Sequence, residues 1–221
     1  TLWHTLSLHD ALPICLVLLS PFIPLLFMGE EYGESAPFQY FVSHTDPGLV
    51  EAVRKGRALE FSGFEWKGEP PDPQDEATFL RSKIRPELGE SGRHKILLSF
   101  HRKLMEFRKN IESLSYLSQK KMNIEIRDEQ ILFMRRWSSR DEIFCVFRFG
   151  TDDVETSMPI PPGNWEKILD SWEPHWEGPG SSFPTVAGPE PKKVLKLPPC
   201  GFALYFREKS PFNIRKETHL G

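Results

Sequence analysis

Few residues in this chain combine types and spacing that could do chemistry. Glu30 and Glu31 are adjacent carboxylates in the string GEEYG at 29–33. Carboxylates working in pairs can protonate a leaving group and attack the reacting carbon. Adjacent residues on a strand point to opposite faces, so these two cannot straddle one bond if the segment is a strand. One of them then lines or braces a pocket, or forms a salt bridge to a loop. Phe38, Tyr40 and Phe41 follow, and flat rings suit the apolar faces of sugars as well as the packing of a loop. Asp72 and Gln74 stand in a proline-framed loop, where they offer hydrogen bonds to hydroxyls or build a structured turn. Trp165, Trp172 and Trp176 form either a secondary binding surface or core and loop packing. His94 and His101 have no metal-ligand partner at suitable spacing, and no metal or cofactor is expected.

Elements must position these groups. LVLLS at 16–20 reads as the last turns of a helix ended by Pro21 and Pro24. LLFMG at 25–29 reads as a short strand buried on both faces. A short helix is expected at 48–60. A longer one spans 94–111, with Leu97, Phe100, Leu104, Phe107 and Ile111 in one apolar stripe. After Ile111 the period becomes two. Met122, Ile124 and Ile126 alternate with polar residues, a turn follows at 128–130, and Ile131, Phe133, Arg135 and Trp137 continue as a hairpin. IFCVFRF at 143–149 suits a central strand, with later strands near 193–197 and 202–207.

Composition bounds the function class. With 221 residues, 39% hydrophobic and 27% charged, the chain is ordinary for a globular protein of one large or two small domains. A net charge of -3 gives no reason to expect nucleic acid or an anionic membrane as partner. Residues 11–28 carry no charge, but Pro13, Pro21 and Pro24 interrupt any membrane span. They also lack the basic start and small-residue cleavage site of a secretory leader. Cys15, Cys145 and Cys200 are expected as buried free thiols of a cytoplasmic protein.

The string SPFIPLLFMGEEYG at 20–33 resembles the eighth-strand region of the alpha-amylase clan. Four ordered motifs extend the likeness: APFQYFVSH, VRKGRALEF, PDPQDEATFLRSKI and LDSWEPHWEGPGSS. Together, over residues 16–207, they resemble the malto-oligosyltrehalose trehalohydrolase family. The first fourteen residues, TLWHTLSLHDALPI, look foreign to that pattern and resemble translated sequencing adapter. If so, Trp3, His4, His9 and Asp10 carry no function. The clan places an Asn-His-Asp at its seventh strand, but here Leu8 replaces the Asn. The distance from Asp10 to Leu25 also leaves room for one short helix and little else.

The resemblance implies an α+β fold: the last strand and helix of a (β/α)8 barrel, followed by an antiparallel β-sandwich. The expected divisions are residues 1–14 as an artefact, 15–114 as the end of the barrel, 115–210 as the β domain and 211–221 as a tail. Residues 16–93 are expected to be loosely held beside a stable β domain. The implied activity of the parent enzyme is hydrolysis of the alpha-1,4-glucosidic bond of maltooligosyl trehalose by a retaining, two-carboxylate mechanism, releasing trehalose. Its catalytic carboxylates are implied to precede the eighth strand, so none is expected in this chain. Glu30, Glu31, Tyr32, Phe38, Phe41, Asp72 and Gln74 are the expected substrate-binding residues, and the expected partner is maltooligosyl trehalose or another alpha-glucan. Two rival readings are another clan enzyme, such as a glucan branching enzyme, and a non-catalytic stabilising or glucan-binding domain.

Overall fold

A computed structural model describes residues 8–62, 70–152, 154–187 and 194–209. Helix α1 (Leu8–Leu19) stops where Ser20 and Pro21 follow. The chain then runs without regular structure to a 3-10 turn at Glu30–Tyr32. Helices α2 (Pro47–Ser62), α3 (Glu76–Arg81) and α4 (Gly92–Asn110) come next, with α5 (Glu112–Ser115) after a break at Ile111. Asp75 caps α3 by accepting from the Ala77 N–H at 3.0 Å.

Among the described residues eight strands follow: β1 (Met122–Arg127), β2 (Ile131–Trp137), β3 (Asp141–Arg148), β4 (Val154–Ser157), β5 (Trp165–Asp170), β6 (Val186–Ala187), β7 (Val194–Leu197) and β8 (Phe202–Glu208). They form a six-stranded antiparallel sheet in the order β1-β2-β3-β8-β5-β6 and a two-stranded sheet of β4 and β7. Asp128 and Glu129 both take positive φ, 49° and 55°, as the mirror-image turns of tight hairpins require. β3 is the central strand expected, with all eight of its residues buried.

Strict alternation sends β3 to two cores. Ile143, Cys145 and Phe147 join Met134, Phe202 and Leu204 on one face. Phe144 and Val146 join Phe133, Ala203 and Tyr205 on the other. The first face packs on helices through Leu12, Ile14, Cys15, Leu18 and Leu19 of α1, Phe100 and Leu104 of α4, and Leu114 of α5. The second face packs against the small sheet through Leu197 and Val154. The molecule is therefore three layers, of helices, large sheet and small sheet.

This arrangement corrects the expectation of a strand at 25–29 and shows how the elements around it pack. Residues 25–29 form no strand, because among the described residues no neighbouring strand offers them ladder hydrogen bonds. Leu25 is 94% exposed, while Leu26 packs partly against the helical core. The stripe of α4 covers the antiparallel sheet rather than a barrel, so one core crosses the boundary expected near residue 115. Leu12 and Ile14 are 3% and 2% exposed in that same core, so this part of residues 1–14 does not pack apart from the rest. Trp165 is fully buried between the sheets, Trp172 donates its ring N–H to Pro199 O at 3.1 Å, and Trp176 packs edge-on to Phe100, so the three tryptophans share no outer face. Trp3, His4 and the tail at 211–221 lie outside the described residues, as do the side chains of His9 and Asp10.

Cys15, Cys145 and Cys200 are buried and free. Burial pushes all three thiols above their ordinary pKa. Among the described residues no helix is long and apolar enough to cross a membrane.

Candidate functional site

The 3-10 turn is made by glycines at both ends. Gly29 and Gly33 adopt φ of 89° and 71°, and a Cβ at Gly29 would stand 2.6 Å from Glu34 Cβ. The turn brings residues 27–38 against 82–85 and opens a cleft of about 260 Å3. Phe27, Gly29, Glu30 and Phe38 line one side, with Glu34, Ser82 and Ile84 completing it. Phe27 and Phe38 meet edge to face with ring centroids 4.9 Å apart. Half-exposed rings beside carboxylates give the cleft an apolar wall with a polar edge.

Its carboxylates are already engaged. Glu30 accepts from the Phe27 N–H and Glu31 from the Gly29 N–H, each at 3.0 Å. The expected opposition of these two side chains across a strand is replaced by two carboxylates closing one turn. Glu34 holds the cleft together. Its Oε1 accepts from the N–H groups of Ser35 and Ala36 at 2.8 Å and from the Arg85 guanidinium at 3.0 Å. Its Oε2 accepts from the Arg85 backbone N–H at 2.5 Å and from the Tyr32 hydroxyl at 3.3 Å. Burial works against the charge, but these donors, led by the Arg85 N–H, outweigh it and hold the carboxyl at about 2. A carboxylate so depressed cannot serve as an acid near neutrality, and its lone pairs are occupied.

That depression has a pH signature. A carboxyl with a lowered folded pKa stabilises fully above the ordinary glutamate value of about 4.3 and loses that contribution as pH falls toward its folded value. The stability difference between the wild type and Glu34→Gln should therefore be constant from neutrality to about pH 5 and shrink steadily below it. Urea unfolding across that range measures it. A difference independent of pH would contradict the arrangement.

The other expected residues divide. Tyr32 is buried, and its carbonyl accepts from His94 Nδ1 at 2.7 Å, so it props the turn from behind. Phe41 pairs with Phe79 at 5.1 Å, away from the cleft lining. The Arg57 guanidinium lies 5.1 Å over the Tyr40 ring. Asp72 takes the Arg54 guanidinium on both oxygens, at 2.8 to 3.0 Å, and these bonds hold it below its ordinary pKa. Gln74 spends both ends of its amide on the His44 backbone, at 3.2 and 2.8 Å. Asp72 and Gln74 thus fasten their loop to 42–54. Of the residues expected to bind substrate, Glu30 and Phe38 share the cleft. Phe27, Glu34, Ser82, Ile84 and the Arg85 staple were not foreseen. GEEYGE carries Glu34 in plain view, but nothing local announces a partner 51 residues away. Among the described residues no group of three His, Cys, Asp or Glu side chains could hold a metal ion.

Comparisons with known proteins agree with this architecture. No family model matches the chain. It is 37% identical over 150 residues to the malto-oligosyltrehalose trehalohydrolase of Rhizobium sp. (strain M-11), covering 67% of this chain and 25% of that protein. It is 46% identical over 97 residues to the enzyme of the same name from Arthrobacter ramosus, covering 43% and 17% respectively. The chain thus spans a quarter or less of the length of these relatives. Among solved structures, a putative alpha amylase from Salmonella typhimurium superposes with a TM-score of 0.67 at 28% identity, over 92% of this chain and 31% of that one. An alpha-amylase from H. orenii shares the fold at a TM-score of 0.53 and 18% identity, over 91% and 35%. The chain is accordingly related in sequence to the malto-oligosyltrehalose trehalohydrolases and shares the fold of alpha-amylase-family enzymes over most of its length.

Proposed function

We propose that this chain is the C-terminal part of a glycoside hydrolase that cleaves the alpha-1,4-glucosidic bond of maltooligosyl trehalose and releases trehalose. The observation that carries this reading is the 37% identity over 150 residues to a protein of that name. The retaining chemistry it calls for needs two carboxylates about 5–5.5 Å apart, one to attack the anomeric carbon and one to protonate the leaving oxygen. Glu30 and Glu34 do not supply that pair. Glu34 is saturated with donors, and Glu30 is tied to its own turn. The chain's contribution is a wall of the substrate cleft, in which Phe27 and Phe38 offer ring faces and edges and Glu30 offers the carboxylate oxygen that does not take the Phe27 N–H. The three-layer body behind holds that wall.

The purified chain should therefore release no trehalose from maltooligosyl trehalose. Adding that sugar should shift NMR signals of residues 27–38 and 82–85 ahead of all others. Trehalose above the enzyme-free blank, or shifts confined to the β-sheets, would contradict the reading.

A further inference from the structure

The last turn of α1 contains no basic residue of its own, yet each carbonyl it leaves open finds a donor. Ser20 gives its N–H to Leu16 O at 3.1 Å and its hydroxyl to Val17 O at 3.0 Å. Arg108 of α4 donates to Leu18 O, to Ser20 O at 2.9 Å and to Phe22 O at 2.5 Å. Arg136 of β2, only 1% exposed, donates to Leu19 O at 2.6 Å and also to Tyr116 O. Neither guanidinium has a carboxylate partner among the described residues.

A buried cation, Arg136, and a half-buried one, Arg108, are costly without counter-ions unless something else compensates them. Here the negative end of the α1 dipole and a fan of carbonyls do so. The geometry matters because of what comes next. Residues 21–29 have no strand ladder to hold them, and they lead directly into the cleft wall. Arg108 is the group that reaches furthest along this exit, to Phe22, while Arg136 ties the same helix end to the sheet.

We infer that Arg108 and Arg136 are positioning residues, which set the cleft wall at 27–34 in register on the β-sheet body by clamping the carbonyls where α1 ends. The proposed function gives the cleft its use, but the clamp stands on geometry alone.

Amide hydrogen exchange on the whole chain tests this without any sugar, so failure of the proposed substrate cannot be mistaken for failure of the clamp. Arg108→Gln removes the donors to Ser20 and Phe22 from a half-exposed site and should leave the core folded. Exchange at Glu30, Tyr32, Gly33 and Glu34 should accelerate about tenfold or more, the worth of a lost charge-assisted hydrogen bond, while β3 and β8 stay as in the wild type. Arg108→Lys, which keeps a charge and donors, should recover most of the protection. Arg136→Gln should loosen the same four amides, and Arg136→Lys should recover most of that loss. Unchanged exchange at 27–34 in Arg108→Gln, or equal acceleration in β3 and β8, would overturn the inference, as would Arg108→Lys behaving like Arg108→Gln.

Discussion

Removal of residues 1–19 is expected to abolish cooperative folding of the whole chain, not merely of its helical layer. Leu12, Ile14, Leu18 and Leu19 are all nearly inaccessible in the core that also holds Cys145, Phe147, Phe202 and Leu204 of the large sheet. Burying one large aliphatic side chain is worth about 1.5–3 kcal/mol, so losing four forfeits about 6–12 kcal/mol. That matches the net stability of an entire domain. The deletion also strands Arg136, whose donor to Leu19 O would face an open, apolar surface. Near-ultraviolet circular dichroism and urea unfolding measure the result. The truncated chain should lose its aromatic signal and its sigmoidal transition. A truncated chain with an unchanged midpoint would show that the β-sheets stand alone.

Glu142→Gln is expected to have the second largest effect. Glu142 lies on β3 with its side chain 3% exposed, and it binds Arg135 at 2.9 Å, Arg207 at 2.5 Å and Lys209 at 3.1 Å. Burial resists its ionisation, but hydrogen bonds from Arg135, Lys209 and Arg207 prevail and hold its pKa below the ordinary range. Arg207 also stacks over Trp165 at 4.6 Å. Neutralising the one anion leaves three cations converging. The cost should be about 3 kcal/mol, at the lower end for a broken buried pair because the cations still reach solvent. Chemical denaturation gives the number directly. A loss under about 1 kcal/mol would mean that the cluster behaves as an ordinary surface network.

Much of this fold was legible because it depends on neighbours in sequence. The stripe from Leu97 to Ile111 marks α4, prolines 21 and 24 end α1, and the alternation from Met122 to Trp137 marks the first hairpin. What stayed hidden depends on distant partners. LLFMG at 25–29 has the composition of a buried strand, but a strand exists only where another supplies its hydrogen bonds. β5 was missed because WEKILD pairs with β8 through an irregularity between Lys167 and Leu169, which breaks the period of two. At the cleft, Glu30 and Phe38 were legible from residue type beside a turn. Glu34 was not, because its role comes from Arg85. Asp72 and Gln74 were read as ligands of hydroxyls or as parts of a structured turn, and the same hydrogen-bonding groups here bind Arg54 and the His44 backbone.

The central claim is that this chain supplies a cleft wall and its supporting body to a trehalose-releasing hydrolase. Its most direct test is a chimera in which residues 15–208 replace the homologous stretch of the Rhizobium sp. (strain M-11) relative. Trehalose released from maltooligosyl trehalose is the quantity to measure, with the thermal transition recorded to establish folding. The account predicts trehalose release within about tenfold of the unmodified relative, a difference of about 1.4 kcal/mol in transition-state stabilisation. A chimera that folds with the same transition yet releases no trehalose would contradict it.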